Sequence, residues 1–328
     1  MLLGTRRLFG CAFAGGITIV AIACGGSASD SEFGSSGASG ASGGTSGETS
    51  SGSSSFGGTT SGTSGAPQPK QDECKKMDLV FVVDNSGSME QEQKNLAANF
   101  PNFIKVIGDY KTKGGESLDY RVAITSSDDD KDKGKFFAVR GESAPSGCAA
   151  GPNRPWLERA DGAVSGFFTC RAQIGIKGSG TERPLESALL GVRERIADST
   201  NTSAGASFLR DDALLALVVI SDEDEGSAGG AGSLKRPMAE YPTAFDKVKG
   251  NERGKWAAAM IAGPGPGTCR SDGLGNAAEA VRLKSFIASV GKNGIFASIC
   301  EGDLTKGLTA ALNTFTQACK DFPTGPVK

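Results

Sequence analysis

From residue 74 onward, short apolar runs alternate with longer amphipathic segments, and this alternation narrows the available folds more than any other feature. DLVFVV (78–83), YRVAIT (120–125), LLALVVIS (214–221), the strand at 255–262 and a last run at 295–299 read as buried strands, with a further strand expected at 136–140. Between them, residues 91–107 carry Leu96, Ala97, Phe100, Phe103 and Ile104 at helical spacing. A second helix opens at Pro184, a residue suited to a first turn, and runs PLESALLGVRERIADS. Further helices are expected at 243–249, 277–290 and 304–320. Strands joined by helical crossovers define an α/β fold, a doubly wound and mostly parallel central sheet with helices on both faces. Ligands of such sheets collect at the carboxyl ends of the strands.

The first third of the chain cannot join that sheet. Residues 25–68 are almost only Gly, Ser, Thr and Ala, with Phe33 and Phe56 the sole large apolar side chains, so no core can form there. A Gly/Ser coil of this length has a root-mean-square span of about 35 to 40 Å. Ahead of it, MLLGTRR and the apolar stretch 8–23 have the order of a signal peptide and are short for a membrane span. Ala21-Ile22-Ala23-Cys24 resembles the bacterial lipobox, with Ala where Leu is usual, which implies cleavage before Cys24 and acylation of its thiol. Thr5-Arg6-Arg7-Leu8-Phe9 also resembles a twin-arginine export signal. The expected organisation is a signal peptide (1–23), a tether (24–70), one folded domain (71–322) with insertions near 126–177 and 223–242, and a short tail (323–328). The expected location is the bacterial envelope, as an exported, lipid-anchored protein of the outer membrane.

Two of the eight cysteines, Cys11 and Cys24, fall in the signal and at the lipid site. The remaining six are an even number in an exported chain, which points to three disulfides. The chain has no histidine, which excludes Ser-His-Asp and Cys-His catalysis and HExxH zinc sites. Arg6 and Arg7 belong to the signal, so the mature chain is net acidic and nucleic acid is not an expected partner.

The first strand ends abruptly in DNSGSM, one carboxylate, two hydroxyls and a glycine at a central strand end. On residues alone this is either a capped strand-to-helix turn or a hard-cation loop. Gly87 is expected to let the chain turn between the two serines. The motif resembles the DxSxS loop of the von Willebrand factor type A family, whose domains carry a metal-ion-dependent adhesion site, and the likeness extends over most of 74–322.

The resemblance implies Asp84, Ser86 and Ser88 from the first loop, Thr181 from GSGTE (178–182), and Asp222 directly after LVVIS as the cation ligands. Hydroxyls and carboxylates without imidazole or thiolate suit Mg²⁺ first, and Mn²⁺ or Ca²⁺ as well. Asp222 is followed by Glu223, Asp224 and Glu225 where many members of the family have glycine, and Asp128, Asp129 and Asp130 follow the second strand. These carboxylates are either a secondary acidic site or solvated loops. Chain order favours the pairs Cys74-Cys319, Cys148-Cys170 and Cys269-Cys300, the first joining the two ends of the domain.

The function so implied is that of an adhesion or interaction module rather than an enzyme, holding a protein ligand by an acidic side chain through the cation. A structural subunit of a membrane complex would use the same site. A Mg²⁺-assisted hydrolase would need a base such as Glu223 or Asp224, and no second catalytic motif accompanies them.

Overall fold

The computed structural model describes residues 73–227, 233–270 and 275–323. The predicted signal peptide, Cys24 and the tether lie outside the described residues.

The strands are β1 (Lys76–Val83), β2 (Asp119–Ser126), β3 (Trp156–Glu158), β4 (Thr202–Ser203), β5 (Ala206–Ser207), β6 (Leu214–Ile220), β7 (Trp256–Ala262), β8 (Cys269–Arg270), β9 (Asn276–Ala277) and β10 (Gly294–Ser298). Six of them form the central sheet in the order β10-β7-β6-β1-β2-β3, all parallel except the edge strand β3. From β1 the chain builds outward to β2 on one side and, later, to β6 on the other. The crevice at the carboxyl ends of β1 and β6 is therefore the point where strand order reverses, the usual ligand position in an open α/β sheet.

Alternate residues of each strand face opposite layers. Leu79, Phe81 and Val83 of β1 pack with α1 (Glu90–Asp109), α2 (Val164–Ala172) and α7 (Thr305–Lys320). Val80 and Val82 face α3 (Pro184–Val192), α5 (Glu240–Val248) and α6 (Val281–Val290). The short α4 (Glu194–Ala197) follows α3 after a break at Arg193, so the segment read as one long helix is two. The sheet is thus covered on both sides, as its apolar strand runs require. None of the helices among the described residues is long and apolar enough to cross a membrane.

The strand expected at 136–140 does not form. Phe136 is buried, but its N–H goes to the Asn201 side chain at 2.9 Å and its ring packs on Phe208. Only Phe137 bonds β2, through Ile124 O at 2.9 Å. The place beside β2 belongs instead to Trp156–Glu158, running antiparallel. The helix expected from 277 starts at Val281, because Ala277 is in β9.

Three disulfides pair Cys74 with Cys319, Cys148 with Cys170 and Cys269 with Cys300, as chain order favours. The first ties the entry of β1 to the end of α7 and is reinforced by Cys74 N–H donating to Cys319 O at 2.8 Å. It lies at the amino ends of the strands, away from the crevice.

Candidate functional site

The parallel register sets Val83 against Ile220 and so brings the residues that follow each strand side by side. Asp84 N–H donates to Ile220 O at 3.0 Å, which fixes the exit of β1 on that of β6. Asp84 is fully buried. Its Oδ1 accepts the Ser86 N–H at 2.8 Å and its Oδ2 accepts the Ser221 hydroxyl at 2.5 Å. The Ser86 and Ser88 hydroxyls lie 3.2 Å apart. Asp222 is buried beside Ser88 and Asp84, and its Oδ1 has no hydrogen bond to any described residue.

Gln93 on α1 clamps the loop from below. Its amide donates to Asp84 O at 2.9 Å and Gly175 O at 2.8 Å, and its oxygen accepts Gly175 N–H at 3.1 Å. Gly178 N–H then donates to Asn85 O at 2.8 Å, at a separation where a side chain on residue 178 would meet the Asn85 carboxamide at 2.3 Å. Glycine at 178 is what lets this second loop lie on DNSGSM. At Gly87, by contrast, φ is ordinary and the space open, so the turn between the serines does not depend on glycine.

In the 178–183 loop Thr181 is half-buried, its N–H accepted by Ser179 Oγ at 2.9 Å. The acid beside it, Glu182, is wholly buried, hydrogen-bonded to the Ser127 hydroxyl and within electrostatic reach of Asp84. Glu182 and Ser221 join the candidate site although the sequence pattern does not single them out, Glu182 standing in a glycine-rich loop two residues ahead of α3. Glu92, in the first turn of α1, is a fourth buried acid, within electrostatic reach of Asp222.

Burial, and then the charge of Asp222, push the Asp84 carboxyl from 3.8 to about 7. Burial, and then Asp84, push Glu182 to about 9. Burial foremost, with the Asp222 charge adding, raises Glu92 to about 7. Desolvation raises Asp222 too. Asp222 Oδ1, Glu182 Oε1 and Glu92 Oε2 are all acceptors buried without a donor. Such a cluster is stabilised by positive charge from outside the chain, as protons or as a cation.

No three His, Cys, Asp or Glu side chains among the described residues converge as an all-acid cage would. A cation here would need the serine and threonine hydroxyls among its oxygens. The donor set of Asp84, Ser86, Ser88 and Asp222 is hard and fits Mg²⁺ in kind.

The remaining acids are occupied elsewhere. Asp129 pairs with Arg183 at 2.7 Å, and Asp130 with Arg183 at 3.1 Å and Lys235 at 3.0 Å. Asp128 accepts backbone N–H groups of Lys131 at 2.9 Å and Ser179 at 3.1 Å. Asp224 takes the N–H groups of Arg282 and Leu283 and the Arg282 guanidinium, and so holds the start of α6. Glu225 takes the N–H of Leu185 and the Tyr241 hydroxyl at the start of α3. Glu223 accepts the Ser227 hydroxyl. The six carboxylates that the sequence leaves open as a secondary acidic site or solvated loops are therefore distributed over several structural contacts.

No protein-family model matches the sequence, and no curated protein matches it. Among solved structures the chain is similar to proximal thread matrix protein 1 from the mussel byssus, at 12% identity, over 75% of this chain and 49% of that one, with a TM-score of 0.38. It is similar to the pilus adhesin SpaC from Lactobacillus rhamnosus GG in its open conformation, at 13% identity, over 76% and 30% of the two chains, with a TM-score of 0.37. The human COPII-coat protein Sec24c aligns at 9% identity, over 76% and 33%, with a TM-score of 0.38. The chain spans about half the length of the first of these and about a third of the others.

Proposed function

We propose that residues 71–322 are a von Willebrand factor type A domain that binds a divalent cation, Mg²⁺ in the first place, and through it an acidic side chain of a protein ligand. The observation that carries this reading is the meeting of Asp84, Ser86, Ser88 and Asp222 at the reversal point of the sheet, with the Asp222 Oδ1 left without a donor. Ser86, Ser88 and Thr181 would supply neutral oxygens to the ion and Asp84 and Asp222 carboxylate oxygens, directly or through the waters that Mg²⁺ gives up reluctantly. Neutral donors leave the ion's charge incompletely compensated, so a ligand carboxylate completes the shell. No general base or nucleophile is assigned, and the protein acts by binding.

Cys24 carries the lipid anchor, and the tether holds the domain away from the outer membrane of a bacterial envelope. The paired state of Asp129 and Asp130 favours an acidic ligand, since Arg183 and Lys235 offset their charge. A cation-dependent pull-down from envelope extract tests metal, site and partner together. Capture in Mg²⁺, release by chelator and loss with Asp84→Ala are expected; capture that is indifferent to chelator and to Asp84→Ala contradicts the reading.

A further inference from the structure

Beside the Asn85 edge of the DNSGSM loop the 126–177 insertion encloses a cavity of about 190 Å³. Its apolar wall is formed by Phe137, Val139 and Ile174, and Val139, at 63% exposure, is one of the few large apolar side chains left open among the described residues. Four cationic side chains line it, the buried Arg171 and, nearer solvent, Lys131, Arg140 and Lys177. Two acids also line it, Asp132, which accepts the Ser126 hydroxyl at 2.5 Å, and Glu142, which pairs with Lys177 at 3.8 Å, so the cations outnumber the acids and the lining keeps a net positive charge.

The walls are held in place. Arg171 is buried and donates to the carbonyls of Phe137, Ala150, Pro152 and Arg154, which fixes the insertion from inside. Gly175 is bound to the metal loop through Gln93, and Gly178 through Asn85. The cavity wall and the DNSGSM loop are thus joined by hydrogen bonds into one surface.

We infer that this cavity seats an apolar side chain of the same ligand whose carboxylate is held by the cation, and that the ligand is an extended acidic peptide segment. The inference rests on the proposed cation site and adds the class of sequence it selects. A volume of this size suits one side chain rather than a cofactor or drug-sized molecule. The cationic surround on a net acidic chain complements acidic residues flanking the apolar one.

The test uses the purified full chain in Mg²⁺ on an array of short peptides with a fixed central aspartate and every residue type at the flanking positions, alongside a direct Mg²⁺ titration. Peptides with Leu, Val or Met near the aspartate and a further acid beyond it are expected to bind about tenfold more strongly than their alanine counterparts. Val139→Glu should abolish that preference while Mg²⁺ binding is unchanged, and Lys177→Glu should weaken the preference for the flanking acid. Mg²⁺ binding with no apolar preference, or with one that Val139→Glu leaves intact, overturns the inference and leaves the cation site standing. Absence of Mg²⁺ binding overturns the proposed function itself, and apolar selection that survives Asp84→Ala overturns the two-point arrangement.

Discussion

Asp84 has its two oxygens on Ser86 N–H and the Ser221 hydroxyl, and Asp222 beside it, with no positive side chain in that set. Its proton is held to about 7, as is that of Glu92, and that of Glu182 to about 9. All three values lie above those of the unfolded chain, so the folded, cation-free domain binds more protons than the unfolded one. The stability these acids contribute is complete below about pH 4 and is lost as pH rises through about 7 and on to about 9. Thermal melts in chelator should therefore fall between about pH 5 and about pH 8, and a melting temperature that rises across that window would contradict the assignment. Gly178→Ala drives a methyl group into the Asn85 carboxamide. It should cost about 1 to 3 kcal/mol in denaturant unfolding and weaken cation binding by displacing the loop. Asp84, Ser86, Ser88 and Asp222 were legible through a family resemblance, since on residues alone DNSGSM reads equally as a capped turn; the parallel register of β1 on β6 is what sets them side by side. Glu182 was not, because only the folded chain shows that its oxygen lacks a donor.

Elements explain the acidic runs that single residues do not. Asp224 and Glu225 satisfy the first N–H groups of α6 and α3, positions where a carboxylate also meets the positive end of the helix dipole. Asp224→Ala should lower stability by about 1 to 2 kcal/mol and leave Mg²⁺ affinity unchanged, as read by denaturant unfolding and calorimetric titration. A large loss of cation affinity without a stability loss would restore these residues to a metal site. In sequence the run DEDE after β6 is indistinguishable from a metal-binding or solvated acid cluster, because the helix starts it serves are far away in the chain. The same limit explains the edge strand: the run at 136–140 is apolar because Phe136 packs on Phe208, while the short Trp156–Glu158 has no periodicity to announce it. The central strands, apolar over their whole length, were legible because burial on both faces leaves them no polar positions.

At the scale of the whole molecule, the Cys74–Cys319 bond joins residues 245 apart and closes the domain at the end opposite the crevice. On chain entropy, replacing both cysteines by serine should lower stability by about 5 kcal/mol. The bond also holds the end of α7 against the start of β1, and we propose that it limits sliding of that helix and so holds the proposed cation site in one state. A folded double-serine variant should bind peptide with altered affinity, and unchanged affinity would count against this coupling.

The most direct measurement is calorimetric titration of Mg²⁺ into the wild-type chain and Asp84→Ala at about pH 8 and about pH 5.5. On the proposed reading, cation and protons compete for the same buried oxygens. Saturable binding by the wild type, tighter at the higher pH and lost in Asp84→Ala, is expected. Equal binding by the two proteins, or no binding by the wild type at either pH, would contradict it.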